Sequence, residues 1–337
     1  TDMIQTRTSI LMLSLALAAG GCTMAPKYHR PVAPVADQWP IRIATTNTPS
    51  ENISELRWEE FFTDEKLREV IRLALAQNRD LRIAALNVER ARALYGIQRS
   101  ELLPTVDATG SAIRQRIPKD LSNVGRPITT EQYSVSLGVA AWEIDLFGRL
   151  RSLKDRSLEE YFATEHARRG AQLALIASVA ETYLTLAADR ENLALAETTL
   201  ASQRYAFALI ERRHQLGLAT DLDLHRARTQ VDSAAGEVAR FTQITAQDLN
   251  ALTLLVGGPV PEELLPNALN TVAVPREIQP GIPSEVLLQR PDVLQAESLL
   301  RAANADIGAA RAAFFPRISL TAAIGSASSD LSGLFKS

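Results

Sequence analysis

The chain has 337 residues, with 36 Lys and Arg against 39 Asp and Glu, a formal net charge of −3 and a single cysteine. Acids and bases are interspersed, so there is no basic footprint of the kind that nucleic-acid binding needs. One cysteine excludes an internal disulfide framework, and His29, His166, His214 and His225 lack metal-ligand companions at the usual spacings. No Gly-x-Ser-x-Gly or phosphate-loop pattern occurs, so neither a catalytic centre nor a cofactor is expected.

Thr1 and Asp2 precede Met3, the more natural initiator. Arg7 and an apolar run from Ile10 to Ala19 follow, closing on Ala19, Gly20 and Gly21 directly before Cys22. The run is too short to span a bilayer as a mature helix, and its flanks read as a secretory signal over residues 1–21. It resembles a bacterial lipoprotein signal. That resemblance implies a diacylated Cys22 thiol, cleavage that leaves Cys22 first, and acylation of its amine; two or three acyl chains hold a membrane where one would not. Residues 22–57, with Pro26, Pro31, Pro34 and Pro40, have the composition of a lipid-anchored extended tether.

Residues 58–103 read as helices. Asp64 is placed to cap one that carries Leu67, Val70, Ile71 and Ala74 on a single face, and Asp80 to begin another that stops at Pro104. In residues 104–145 the period changes to two. Val106, Ala108, Gly110 and Ala112 alternate with Thr105, Asp107, Thr109 and Ser111, while Tyr133, Val135, Leu137, Val139 and Ala141 alternate with Gln132, Ser134, Ser136 and Gly138. Each run has about the 9–11 residues that a tilted strand needs to cross a bilayer. A half-buried strand in a soluble sheet would alternate in the same way.

Residues 146–257 read as a long helical hairpin. Gly148 to Leu216 contains no proline, and a continuous helix of that extent would be on the order of 100 Å long. Val179, Leu186, Leu193, Leu200 and Phe207 form one heptad seam, and Leu224, Ala227, Val231, Ala234, Val238 and Phe241 another on the return. The turn from Gly217 to Asp221 is short enough to force the two helices antiparallel. Within it Gly217 suits a left-handed position, Thr220 an N-cap, and Asp221 and Asp223 the first turn of the next helix. Residues 258–283, punctuated by Gly258, Pro259, Pro261, Pro266, Pro275, Pro280 and Pro283, read as a connector.

Residues 284–337 begin a repeat. At one constant spacing and without a gap, Asp80, Ala84, Ala91, Ala93, Gly96, Arg99, Pro104 and Thr109 recur as Asp292, Ala296, Ala303, Ala305, Gly308, Arg311, Pro316 and Thr321. A third strand follows, with Ile318, Leu320, Ala322 and Ile324 alternating against Ser319, Thr321 and Ala323. Such a repeat implies two copies of one architectural unit. The same spacing carries the partners of Tyr133 and Gly257 past Ser337, so a second strand and second hairpin are expected beyond it, and residues 22–337 alone are expected to form no stable trimeric channel.

Arg290-Pro291-Asp292-Val293, Ala296-Glu297, Ala302-Ala303, Ile307-Gly308 and Phe315-Pro316 with Ile318 and Leu320 resemble the signature of TolC-like outer-membrane efflux proteins. Pro26-x-Tyr28-x-Arg30-Pro31 resembles their lipidated, OprM-like or NodT-type branch. The resemblance implies an α plus transmembrane β-barrel fold: a homotrimer sharing a twelve-stranded barrel, with long helices continuing as a periplasmic α-barrel. It implies the exit duct of a tripartite pump for drugs, solvents or other toxic compounds, partnered by a periplasmic adaptor and an inner-membrane resistance-nodulation-division transporter. Gly217, Leu218, Ala219, Thr220, Asp221 and Leu222 then resemble the periplasmic tip that meets the adaptor. The family's aperture-closing carboxylates belong to the second hairpin, so none is assigned.

A periplasmic adaptor lipoprotein is the alternative, sharing the signal, the cysteine and a helical hairpin. It would carry flanking lipoyl-like and β-barrel domains in place of a repeating helix-strand unit. A hydrolase with a helical insertion lacks its nucleophile constellation. For Cys22, intact-mass analysis of membrane-extracted protein is expected to show acyl additions on a chain that starts there, and Cys22→Ser is expected to leave the precursor uncleaved. An unmodified Cys22 thiol, or retention of Met3 to Gly21, would contradict this.

Overall fold

The computed structural model describes residues 23–32, 56–278 and 284–335. The signal run, Cys22, Pro34, Pro40, Pro280 and Pro283 lie outside the described residues. The chain divides into two compact units, one within Thr1–Val32, Glu89–Ala163 and Ala296–Ser337, the other within Ala33–Val88 and Thr164–Gln295. In chain order the elements are α1 (Trp58–Phe61), α2 (Glu65–Gln77), α3 (Arg79–Ser100), β1 (Val106–Ile117), β2 (Ile128–Glu143), α4 (Arg149–Gln215), α5 (Asp221–Val256), α6 (Pro291–Ala312) and β3 (Ser319–Ser328). Short 3-10 turns at Glu262–Leu264, Leu269–Thr271 and Ser284–Gln289 occupy the stretch between α5 and α6.

The second unit holds the main hydrophobic core. Asp64 caps α2 by accepting the Leu67 amide at 2.8 Å, and the helix buries the expected face of Leu67, Val70, Ile71 and Ala74. These side chains cluster with Ile176, Val179, Tyr183 and Leu186 of α4, Leu252 and Val256 of α5, and Leu265. Each large apolar side chain so buried contributes about 1.5–3 kcal/mol. The Tyr183 hydroxyl enters this core without remaining unpaired, because it donates to the Leu264 carbonyl at 3.1 Å; burial raises its pKa above the ordinary tyrosine value.

α3 begins at Arg79, one residue ahead of Asp80. Asn78 is its cap, and Asp80 lies inside the first turn. The reason is the bifunctional amide: Oδ1 accepts the Leu81 amide at 2.8 Å while Nδ2 donates to the Leu255 carbonyl at the end of α5, also at 2.8 Å. An ionised carboxylate has no proton for the second bond. Beside this junction Gly257 ends α5 with φ 87°, and a Cβ there would come within 2.6 Å of the Gln77 carbonyl oxygen.

In the first unit α6 and β3 reproduce the order of α3 and β1, helix then strand, at the spacing of the sequence repeat. The small residues of α6 are what let neighbours approach: Ser298, Ala302, Ala305, Gly308, Ala309 and Ala312 are buried. A Cβ on Gly308 would lie 2.6 Å from the Ser152 hydroxyl of α4 and 2.8 Å from the Ala25 amide nitrogen. The segment after Cys22 is thereby seated along α6. Asn304 donates to the Pro26 carbonyl at 2.8 Å, and Glu297 pairs with Arg30 at 2.7 Å and Arg301 at 2.8 Å. Where α4 begins, the Asp145 carboxylate accepts the Leu150 and Arg151 amides at 3.2 and 3.0 Å, and Arg149 pairs with Glu143 at 2.6 Å.

Gly257→Ala combines a left-handed backbone with a contact to fixed backbone atoms, so it is expected to destabilise the protein by about 2 kcal/mol or more. Gly236→Ala, in the interior of α5 where a new Cβ meets nothing within 4 Å, is expected to stabilise it by about 0.5–1 kcal/mol. Denaturant midpoints of the two variants check both signs.

Candidate channel surfaces

β1, β2 and β3 form one antiparallel sheet in the order β1-β2-β3. Its register runs from Val106 opposite Val139 to Ile117 opposite Ile128, and from Tyr133 opposite Ser328 to Glu143 opposite Ser319. Directly opposed residues share a face. One face therefore carries Val106, Ala108 and Ala112 with Val139, Leu137, Val135 and Tyr133, extended by Ala322 and Ile324 of β3. The other carries Thr109 hydrogen-bonded to Ser136 and Ser111 to Ser134, both at 2.7 Å, with the small residues Gly138, Ala323 and Gly325. Val135, Leu137, Ile113 and Ile324 are all more than a third exposed, so nothing among the described residues covers the sheet.

A register shift between Val139 and Trp142 places Trp142 opposite Leu320, which returns it to the apolar face. Its indole donates to the Leu102 carbonyl at 3.3 Å. Trp142 and Tyr133 thus bracket the apolar stretch. Along a strand that interval is about 30 Å, or roughly 25 Å of depth at the tilt of a barrel strand, the height of a membrane-facing band with an aromatic girdle at each end. α4 also has a stretch apolar enough to cross a membrane by length and composition. That stretch contains Ile176, Val179, Tyr183 and Leu186, which are buried in the core.

The second surface is the turn between α4 and α5. Gly217 has φ 70°, and the Leu218 amide reaches back to the Arg213 carbonyl at 2.8 Å, closing α4. Thr220 then opens α5 with a reciprocal capping box: its hydroxyl accepts the Asp223 amide at 3.2 Å, and the Asp223 carboxylate accepts the Thr220 amide at 3.1 Å and its hydroxyl at 2.7 Å. These bonds hold the Asp223 carboxyl below the ordinary aspartate range. His214 of α4 reaches Asp221 of α5 at 2.7 Å. The bond joins the two helices, and the one signal for it in the sequence is a spacing that spans the turn. Leu216, Leu218 and Leu222 are each more than half exposed here. A cleft of about 570 Å³ lies between the two helices beside Phe207, Ile210, Asp223 and Arg226. Cys22, the remaining expected site residue, lies outside the described residues. Among the described residues no group of three or more His, Cys, Asp or Glu side chains could hold a metal ion.

A sheet with one apolar and one hydroxyl-lined face, in a chain of long antiparallel helices, defines a membrane channel subunit. The family described as outer membrane efflux protein matches residues 70–258 and 282–337. The chain is 47% identical over 330 residues to the probable efflux pump outer membrane protein TtgC of Pseudomonas putida, covering 96% of this chain and 68% of that one. It is 44% identical over 324 residues to the outer membrane protein OprJ of Pseudomonas aeruginosa, covering 96% and 67%. Among solved structures, a membrane protein from Pseudomonas aeruginosa superposes with a TM-score of 0.81 at 43% identity over 94% of this chain and 70% of that one. The open state of the Neisseria gonorrhoeae MtrE outer membrane channel gives 0.77 at 36% identity over 94% and 69%. The chain belongs to the outer membrane efflux protein family. It is an outer-membrane channel component with the TolC-like fold, and the adaptor alternative is set aside.

Thr220→Ala removes the cap and is expected to cost the hairpin about 1 kcal/mol. Because the folded Asp223 pKa is depressed, its contribution is present above the ordinary aspartate pKa and is lost as pH falls through the folded value. Amide hydrogen exchange at Asp223 and Leu224 is therefore expected to accelerate, relative to the middle of α5, on acidification in the parent protein but not in Asp223→Asn.

Proposed function

We propose that this chain belongs to the subunit of a trimeric duct that passes drugs, solvents and other toxic compounds across the outer membrane. It works with a periplasmic adaptor and an inner-membrane resistance-nodulation-division transporter, and is held to the membrane additionally by lipid on Cys22. The observation that carries this reading is the sheet. Its two faces differ as lipid and water differ, and among the described residues β1 and β3 each have a strand on one side only. Lipid does not tolerate unpaired strand edges, so the sheet has to be closed by further strands. The names of relatives support the cargo class: one is a toluene efflux pump outer membrane protein and another an antibiotic efflux pump outer membrane protein, both of Pseudomonas putida.

Gly217, Leu218, Thr220, Asp221 and Leu222 form the adaptor-contacting tip in this reading. The exposed Leu218 and Leu222 offer apolar contacts on a turn already satisfied by its own hydrogen bonds, which is what docking of a partner helix hairpin needs.

Expressed as the full-length subunit with a cognate adaptor and transporter, in a strain lacking its own duct, the protein is expected to restore resistance to toluene and to antibiotics. Leu218→Glu is expected to abolish adaptor crosslinking at the turn while leaving the protein in the outer membrane, and Gly217→Val to weaken it. Correct outer-membrane insertion without any gain in resistance would contradict the duct. Unchanged crosslinking in both variants would reduce the turn to a structural element.

A further inference from the structure

The apolar face of the sheet ends abruptly at Tyr133. On β1 and β2 the next pair on the same face is Arg114 opposite Glu131, and the one after is Arg116 opposite Thr129. The loop that follows, from Pro118 to Pro127, adds Lys119, Asp120 and Arg126, and lies at the end of the sheet away from α3 and α4. Four cations thus face two carboxylates in a chain whose net charge is −3.

Their pairing is unequal. Glu131 is committed, accepting Arg114 at 3.1 Å through Oε1 and the Tyr133 hydroxyl at 3.3 Å through Oε2. Asp120 is therefore the only uncommitted acid in the cluster. Arg116, Lys119 and Arg126 are exposed and make no ion pair among the described residues. The loop itself is shaped by backbone bonds from Leu121 to Pro118 and Gly125 to Ser122, with Gly125 at φ 68°, so none of the three cations is needed to hold it.

Resting on the membrane reading of the sheet, we infer that Arg114, Arg116, Lys119 and Arg126 form a binding site for the phosphate groups of a lipid headgroup in the leaflet on the side of the loop between β1 and β2. Tyr133 marks the edge of the apolar band, where an aromatic girdle meets the headgroups. Arg114 and Arg116 lie one and two pairs beyond it, on the side that faces lipid, at phosphate depth. Guanidinium groups match phosphate geometry and direct two donors at once, and a basic cluster beside an apolar surface reads phosphorylated headgroups. A lumen-facing role is excluded by register, since both arginines share their face with Ala112 and Tyr133 and not with Ser111 and Ser134.

The test uses the protein extracted from outer membranes, delipidated in mild detergent, and titrated with fluorescent lipid A in mixed micelles. Removing each unpaired cation is expected to weaken binding roughly fivefold, so that Arg116→Ala/Lys119→Ala/Arg126→Ala loses roughly a hundredfold. Arg116→Lys is expected to retain most of it, and enzymatically dephosphorylated lipid to bind weakly. Equal affinity of the triple variant and the parent, equal binding of dephosphorylated lipid, or displacement of lipid A by an equal concentration of inorganic phosphate would each overturn the assignment. Fractionation separates this from the underlying reading. A parent protein absent from the outer membrane would overturn both, whereas a correctly inserted parent and triple variant with the same lipid affinity would overturn this inference alone.

Discussion

A hydrocarbon interior offers no partner to a backbone amide or carbonyl, and the rest of this molecule follows from that constraint. The three strands satisfy one another across 12 paired positions between β1 and β2 and 9 between β2 and β3, yet among the described residues a sheet three strands wide keeps two open edges. Closure is then a requirement of the solvent. The same constraint explains why the two faces diverge so cleanly: hydroxyl pairs such as Thr109 with Ser136 are suited to a wet lumen, and Val135, Leu137 and Ile324 are suited to lipid. The register shift near Val139 belongs to the same economy, because it turns Trp142 back to the apolar side where the sheet leaves the membrane.

Away from the sheet the problem is reversed, and long helices must be held together in water. The second unit does this with a true core around Tyr183, Leu186 and Leu252. The first does it with smallness, Gly308 and the alanines of α6 admitting both α4 and the segment from Thr23 to Val32. That segment follows Cys22 directly. Its attachment through Glu297, Arg30 and Asn304 fixes it to α6 between Pro26 and Arg30.

Much of this was legible in the sequence, for reasons of range. The Asp64 cap, the Thr220 box and the strand faces depend on residues two to four positions apart, and local chemistry decides them. The helix-strand repeat was legible because two copies of one unit must keep the same small and special residues, Gly96 with Gly308 and Pro104 with Pro316. What escaped was long-range. The cap of α3 is Asn78, whose amide also serves Leu255, far along the chain. The bulge before Trp142 is set by β3, and the seating of Arg30 by a helix that begins at Pro291. The His214–Asp221 bond fell between these cases, its spacing visible but its meaning dependent on the exact closure of the turn.

The central claim is that one face of β2 meets lipid and the other water. Because Cys22 is the single cysteine of the chain, an introduced cysteine competes with at most one other thiol for a label. Single cysteines at Ser134, Val135, Ser136, Leu137, Gly138 and Val139 in the membrane-inserted protein, spin-labelled and exposed to oxygen and to a water-soluble nickel complex, give the most direct reading. The account predicts a strict alternation, with Val135, Leu137 and Val139 accessible to oxygen and Ser134, Ser136 and Gly138 to nickel. Uniform accessibility along the strand, or alternation of the opposite phase, would contradict it.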